Sequence, residues 1–210
     1  TRKIGMSSAT ADSLNVSRET FSHLGTYVAL VEKWNPRINL VARSTLPDLW
    51  DRHITDSVQI WQYAPQNWRK WADFGSGGGF PGLVMAILAK EHNPDGQVIL
   101  VESDQRKAVF LRTVIRQIGL NAKVLDDRIE QVPALQADVI SARALADLNT
   151  LLGFFVRHGG ENSTGLFPKG AKWAAEVADA QENWCFSFTA HGSITQAEAV
   201  VLAVEGVSRV

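Results

Sequence analysis

Cysteine is nearly missing from this chain: Cys185 stands alone among 210 residues. An intrachain disulfide and a thiolate metal cluster are therefore excluded. The five histidines, His23, His53, His92, His158 and His191, are scattered and form no HExxH or other short ligand spacing, so no metal is expected. No run approaches the ~18 uninterrupted apolar residues of a membrane-spanning helix. The first residues lack the apolar core of a signal peptide, so no membrane and a reducing, cytoplasmic setting are expected. Charge of one sign is also missing, with 21 Lys and Arg against 22 Asp and Glu. That balance excludes a polybasic tail but leaves room for a local basic patch. Internal repeats, heptads and low-complexity tracts are absent, and no dimerisation motif is present, so a monomer is expected.

What remains is an ordinary globular composition, 45% apolar and 20% charged, at 23.1 kDa. It suits one α/β domain with a terminal extension. The first 16 residues are mixed and polar and are expected to fray. A helix then begins, with Ser17 as cap and Glu19 in the first turn. Phe21, Leu24, Val28 and Val31 give it one apolar face, ending near Lys33 and Trp34 before Asn35 and Pro36. Short helices are expected over 46–50 and around Ile54, Val58 and Trp61. Residues 1–70 thus read as a helical cap and 71–210 as the main domain.

The pattern changes at Trp71. Residues 71–74 read as a buried strand, followed by a glycine run and a helix carrying Leu83, Val84, Ile87 and Leu88. Residues 97–102 (QVILVE) form a second strand, whose unbroken apolar character suits a parallel sheet covered on both faces. Helix 107–118, strand 122–125, strand 139–141, helix 148–156, strand 166–168 and helix 171–181 follow. Residues 184–189 and 199–204 are strand-like and predict a terminal antiparallel hairpin. The sum is a mostly parallel seven-stranded Rossmann-like sheet, with a C-terminal antiparallel hairpin and an N-terminal helical cap.

The strongest chemical signal is 73–82, DFGSGGGFPG. Glycines between a strand and a helix allow positive φ and close approach of a ligand to the backbone. Such a first crossover binds an adenosine-bearing cofactor beyond the strand's carboxyl end. A dinucleotide fingerprint would require glycine where Phe80 stands, and Pro81 occupies the helix start. The pyrophosphate reading is weakened accordingly. Glu102 ends the second strand, 27 residues beyond Gly75, where a carboxylate can accept both hydrogen bonds of a ribose diol. In the loop 127–130 (DRIE), backbone groups of Ile129 and Glu130 can border an adenine; a helix cap by Asp127 is the alternative. Arg143 ends the fourth strand and can hold a carboxylate or phosphate with its fork, or form a surface salt bridge. These features favour S-adenosyl-L-methionine over NAD.

Taken together, segments 34–40 (WNPRINL), 52–57 (RHITDS), 73–82, 101–103 (VES), 127–130, 141–144 (SARA) and 168–170 (PKG) resemble a known family. It is the bacterial RsmG/GidB (glucose-inhibited division protein B) family of 16S ribosomal RNA guanine-N7 methyltransferases. The resemblance runs from about residue 30 to 170. It implies a class I S-adenosylmethionine-dependent methyltransferase fold and methyl transfer to N7 of one guanosine in the 530 loop. Cofactor contacts implied fall on Gly75, Phe80, Ile129, Glu130 and Arg143, with Glu102 near the ribose. Ser76, Gly77, Gly79 and Ser103 are neighbouring candidates. Glu102 stands where many members have Asp, and Asp126 with Asp127 makes an unusually acidic pair before Arg128.

Guanine N7 carries a lone pair and no proton, so its methylation requires positioning and no obligatory general base. No catalytic base is assigned; Arg143 is the candidate side chain, and Asp73 or Glu130 can contribute to the local field. The marks of other methyl transfers are absent. No Asn/Asp-Pro-Pro-aromatic segment follows the fourth strand. Cys185, between Trp184 and Phe186, reads as a buried small hydrophobe and not as a nucleophile.

Residues 1–70 carry nine basic and six acidic residues, whereas 71–210 carry 12 and 16. The positive side therefore falls on the cap. Arg37, Arg43, Arg52, Arg69, Lys70 and Lys169 are candidate phosphate contacts, His53 faces either the substrate mouth or the core, and Trp34 with Asn35 can brace the loop that admits the base. Weak overall charge points to 16S rRNA held within a 30S subunit or assembly intermediate. The competing readings are a small-molecule methyltransferase, a non-enzymatic division-associated binding protein and an NAD-linked dehydrogenase.

Overall fold

The computed structural model describes residues 11–210. The part of the fraying expectation that covers 1–10 lies outside the described residues. Residues 11–16 are built in: α1 (Ala11–Leu14) buries Leu14, and Val16 packs against the core.

Seven strands form one sheet: β1 (Lys70–Phe74), β2 (Gln97–Val101), β3 (Ala122–Leu125), β4 (Ala137–Ala142), β5 (Gly159–Lys169), β6 (Trp184–Gly192) and β7 (Val200–Arg209). Their order is β3-β2-β1-β4-β5-β7-β6. The first five run parallel, and β7 pairs antiparallel with both β5 and β6. The chain reverses between β1 and β4, leaving a crevice beyond the carboxyl ends of these strands. The predicted terminal hairpin is present, with β7 on its inner side.

Strand alternation divides the core between the two faces. Trp71, Val98, Leu100, Val139 and Leu166 face α2 (Arg18–Ile38), α4 (Gly82–His92) and α5 (Gln105–Ile118). Phe74, Val101, Ile140 and Phe167 face α6 (Leu148–His158) and α7 (Trp173–Gln181). Gly82–Ala89 of α4 is buried all round, which explains its almost unbroken apolar sequence.

The helix α2 supplies most of the cap. Ser17 Oγ accepts from the Thr20 amide at 3.1 Å. Ser17 and Thr20 hydroxyls also donate to Glu91, pinning the start of α2 to the end of α4. Leu24, Tyr27 and Val31 are fully buried, each contributing about 1.5–3 kcal/mol of burial free energy. The helix does not end before Pro36, as expected, but continues to Ile38. Proline removes the amide that would reach the Glu32 carbonyl. Both residues are exposed, so solvent can take its place. Asn39, left-handed at φ 49°, ends the helix.

The short helix expected at 46–50 is a 3₁₀ turn over Arg43–Asp48. A π-turn (Trp50–Thr55), α3 (Asp56–Val58) and a 3₁₀ turn (Gln59–Tyr63) follow. They bring Arg52, His53, Asp56 and Gln59 to the crevice. Cys185 departs from expectation: it is exposed on the edge strand β6, pointing away from the neighbouring buried Trp184 because successive strand residues face opposite sides.

Candidate active site

Two clefts open at the carboxyl edge of the sheet and share Ala144 and Ala146 in their walls. The first, about 470 Å³, is lined by Gly75, Gly77, Glu102, Ser103, Ile129 and Glu130, among others. Local sequence creates it. Gly75 has φ +60°, a left-handed conformation that favours glycine, and a Cβ there would lie 2.6 Å from the Leu145 side chain. Glu102 Oε2 accepts from the Gly77 amide at 2.7 Å and Oε1 from the Asp104 amide at 2.8 Å. The residue expected to receive a ribose thus also ties the glycine turn to the loop after β2. Each carboxylate oxygen retains a further acceptor site.

The far wall is held from behind. The buried His158 ring bonds the Ile129 carbonyl through Nε2 at 3.1 Å, and Arg157 donates to the Glu130 carbonyl at 2.9 Å. Asp127 is exposed, and the Ile129–Gln131 turn has no side-chain cap, so the capping alternative fails. Asp126 pairs with Arg112 at 2.8 Å, away from this wall.

Three predicted cofactor residues stand behind the cleft. Ser76 is buried, and its hydroxyl donates to the Asp73 carbonyl. Gly79, at φ +96°, leaves room for the Tyr27 hydroxyl, which a Cβ would meet at 2.8 Å. That hydroxyl donates to the Gly78 carbonyl at 2.6 Å. Phe80 is buried with its ring centroid 5.0 Å from Tyr27 and 4.9 Å from His53. The Asn35 side chain accepts from the Val41 amide, holding Leu40 against Gly78. Asn35 therefore braces the glycine turn through Leu40, while Trp34 packs edge-on against Phe110.

Beneath the turn lies a buried polar chain that sequence reading missed. Trp71 Nε1 donates to Ser141 Oγ at 2.8 Å, and Ser141 Oγ donates to Asp73 Oδ1 at 2.6 Å. Asp73 and Ser141 are register partners on β1 and β4, and Trp71 shares their face. Asp73 Oδ2 is buried without a hydrogen-bond partner among the described residues. Burial pushes the carboxyl up to about 6, against the Ser141 hydrogen bond, which lowers it.

The second cleft, about 430 Å³, is built mainly from side chains far apart in sequence. Arg143 lies here and not in the first cleft. Its Nη2 donates to His53 Nδ1 at 2.8 Å and its Nη1 to Asp56 Oδ2 at 3.3 Å, while its guanidinium carbon sits 5.3 Å from the Phe80 ring centroid. Because arginine can only donate, His53 Nδ1 accepts and Nε2 carries the proton, donating to Thr45 Oγ1 at 2.9 Å. Burial, then the charges of Arg143 and Arg52, lower His53 to about 4, which keeps the ring neutral. Asp56 Oδ1 accepts from Thr195 and Gln59, joining the cap to the loop between β6 and β7.

Arg52 and His53 line this cleft as anticipated, and Arg52 is exposed. Lys169 also lines it but is no surface residue: it is 9% exposed, with Nζ donating to the Ala146 carbonyl at 2.9 Å and Glu176 at 2.7 Å. Arg37 and Arg43 are exposed on the cap outside the lining. Arg69 and Lys70 sit at the start of β1, the opposite edge of the sheet, where their amides donate to Asp138. Glu176, Gln59 and Thr195 carried no local motif and emerge only from the fold.

This strand order, crossover cleft and second adjoining cleft define a protein of the class I, Rossmann-like methyltransferase fold. Solved structures agree: a SAM-dependent methyltransferase from Aquifex aeolicus superposes with TM-score 0.58 at 13% identity, covering 76% of this chain and 92% of that one. An O-methyltransferase from Bacillus cereus gives 0.57 at 14%, covering 93% and 94%. The family model described as GidB, rRNA small subunit methyltransferase G, matches residues 20–202, and the chain belongs to that family. Curated relatives named ribosomal RNA small subunit methyltransferase G are similar along nearly their full length. That of Ruegeria pomeroyi is 54% identical over 200 residues, 95% of this chain and 98% of the relative. That of Parvibaculum lavamentivorans is 48% identical over 194 residues, 91% and 85%.

Proposed function

We propose that this protein transfers a methyl group from S-adenosyl-L-methionine to N7 of a guanosine in the 530 loop of 16S rRNA, in the bacterial cytoplasm. The observation that carries the reading is the pair of clefts meeting at Ala144 and Ala146. One suits a donor and the other an acceptor, with a shared wall where they would meet.

S-adenosylmethionine supplies a methyl group activated by a sulfonium. The first cleft fits it: Gly75 and Gly77 leave a cradle without side chains, Glu102 retains lone pairs for ribose hydroxyls, and Ile129 and Glu130 offer a backbone wall for adenine. Above about pH 6, Asp73 places a buried negative charge beneath the turn. That charge favours cationic groups on both sides of the transfer. Guanine N7 needs no deprotonation, which agrees with a neutral His53 held as a hydrogen-bond acceptor. Arg143, already bound to His53 and Asp56, positions the cap over the sheet.

The cap, described over residues 11–70, faces the RNA, with Arg52 at the mouth and Arg37 and Arg43 around it. One chain completes both clefts, which supports action as a monomer. The partner is a folded 30S subunit or assembly intermediate, whose fixed surface compensates for the modest charge of the enzyme. Methyl transfer from labelled S-adenosylmethionine to undermethylated 30S subunits and to stripped 16S rRNA tests this. Transfer strongly favouring the subunits is expected; equal rates would refute the partner, and no transfer to either would refute the activity. Calorimetry should show binding of S-adenosylmethionine and none of NAD.

A further inference from the structure

Both guanine and adenine carry an N7 acceptor, so N7 chemistry alone does not choose between them. The two purines differ on the edge beside N7. Guanine presents an acceptor at O6 and then a donor at N1–H. Adenine presents a donor at N6 and then an acceptor at N1. A site reading guanine there needs a donor beside an acceptor, in that order.

The second cleft holds one such pair next to the wall shared with the first. Lys169 Nζ donates to the Ala146 carbonyl at 2.9 Å and to Glu176 Oε2 at 2.7 Å. An ammonium has three protons, so one remains. Glu176 Oε2 also accepts from the Leu148 amide at 2.9 Å, while Oε1 has no hydrogen-bond partner among the described residues. The lysine side chain is 7% exposed and the glutamate 28%, and both line the cleft. Ala146, which anchors Lys169, belongs to both clefts. The hydrogen-bond chain therefore runs from Ala146 at the shared boundary to a donor and on to an acceptor. That is the order of N7, O6 and N1–H on guanine.

We infer that the Lys169–Glu176 pair is the guanine-specificity element of this site, Lys169 donating to O6 and Glu176 Oε1 accepting from N1–H. The inference rests on the methyl-transfer reading above. Adenine meets it with both polarities reversed, leaving a charged donor and a charged acceptor unpaired in a half-buried cleft. Such mismatches discriminate far more strongly than differences in shape. The pair is held rigid by the Ala146 carbonyl and the Leu148 amide, so it does not reorganise to suit the wrong base.

The test uses the full-length protein and 30S subunits reconstituted with 16S rRNA carrying guanosine, inosine or 2,6-diaminopurine at the target. Inosine keeps O6 and N1–H and lacks the 2-amino group; diaminopurine keeps the 2-amino group and reverses the other two. Wild type should methylate inosine within about fivefold of guanosine and diaminopurine about a hundredfold or more slowly. E176Q retains an acceptor for Lys169 and turns the free oxygen into a donor. It should narrow the guanosine-to-diaminopurine ratio about tenfold or more, with S-adenosylmethionine affinity by calorimetry unchanged. Diaminopurine methylated as fast as guanosine would overturn the inference, as would an unchanged ratio in a folded E176Q. Inosine falling as low as diaminopurine would place recognition on the 2-amino group and overturn it too. Absence of transfer to the guanosine subunits would refute the methyl-transfer reading itself.

Discussion

The two clefts are built on different principles. The first is assembled from short segments at successive strand ends, with Gly75 and Gly77 of the turn and Glu102 of the second strand's end in its lining. The second is assembled from the cap, β4, β5, α7 and the β6–β7 loop, and its chemistry lies in side chains held by one another. A donor-binding cleft can be made locally because it follows from a strand-turn-helix unit. An acceptor cleft specific to one substrate needs groups that only tertiary structure can bring together.

That contrast predicts separable failures. The largest is Gly79→Ala. Its φ of +96° disfavours any side chain, and the Cβ would press on Leu83 and the Tyr27 hydroxyl. A loss of about 3 kcal/mol or more in stability is expected, with both cofactor binding and transfer abolished, read by thermal unfolding and calorimetry. Next, Glu102→Ala leaves the Gly77 and Asp104 amides without their acceptor. Cofactor affinity should weaken about a hundredfold while the variant remains folded.

Asp73, beneath the glycine turn, gives a pH signature. Its folded value of about 6 lies above the ordinary 3.8. Between these values the native state holds a proton that the unfolded chain has released, so the contribution of Asp73 to stability falls as pH rises from about 4 to about 6 and is level above. The wild type should therefore lose about 2 kcal/mol relative to Asp73→Asn across that interval, measured by urea unfolding at each pH. His53, lowered to about 4, acts in the opposite sense, raising stability as pH rises from about 4 to about 6.5 in wild type and Asp73→Asn alike, so the difference between the two isolates Asp73.

Asp56→Asn attacks only the second cleft, weakening the join of Arg143 and Thr195. Transfer to 30S subunits should drop about tenfold with cofactor affinity unchanged. The smallest effect is Cys185→Ser, outside both clefts and exposed, which should shift stability by no more than about 0.5 kcal/mol.

The same contrast explains what the chain discloses before folding. Strand 71–74, the glycine turn and Glu102 are legible because period, turn chemistry and spacing are local signals. The mostly parallel sheet and the terminal hairpin follow from element types, whereas the strand order does not. Pro36 misleads because an exposed helix position tolerates it. Lys169 reads as a surface cation since nothing nearby in sequence announces that Ala146 and Glu176 will enclose its ammonium. The Trp71–Ser141–Asp73 chain joins residues up to 70 positions apart, and only the parallel register of β1 with β4 aligns them.

Mass spectrometry of 16S rRNA from cells with and without this gene tests the central claim most directly. One 7-methylguanosine in the 530 loop should be present with the gene and missing without it, and should return on incubation of the mutant 30S subunits with purified protein and S-adenosylmethionine. An identical set of modifications in the two RNAs would contradict it.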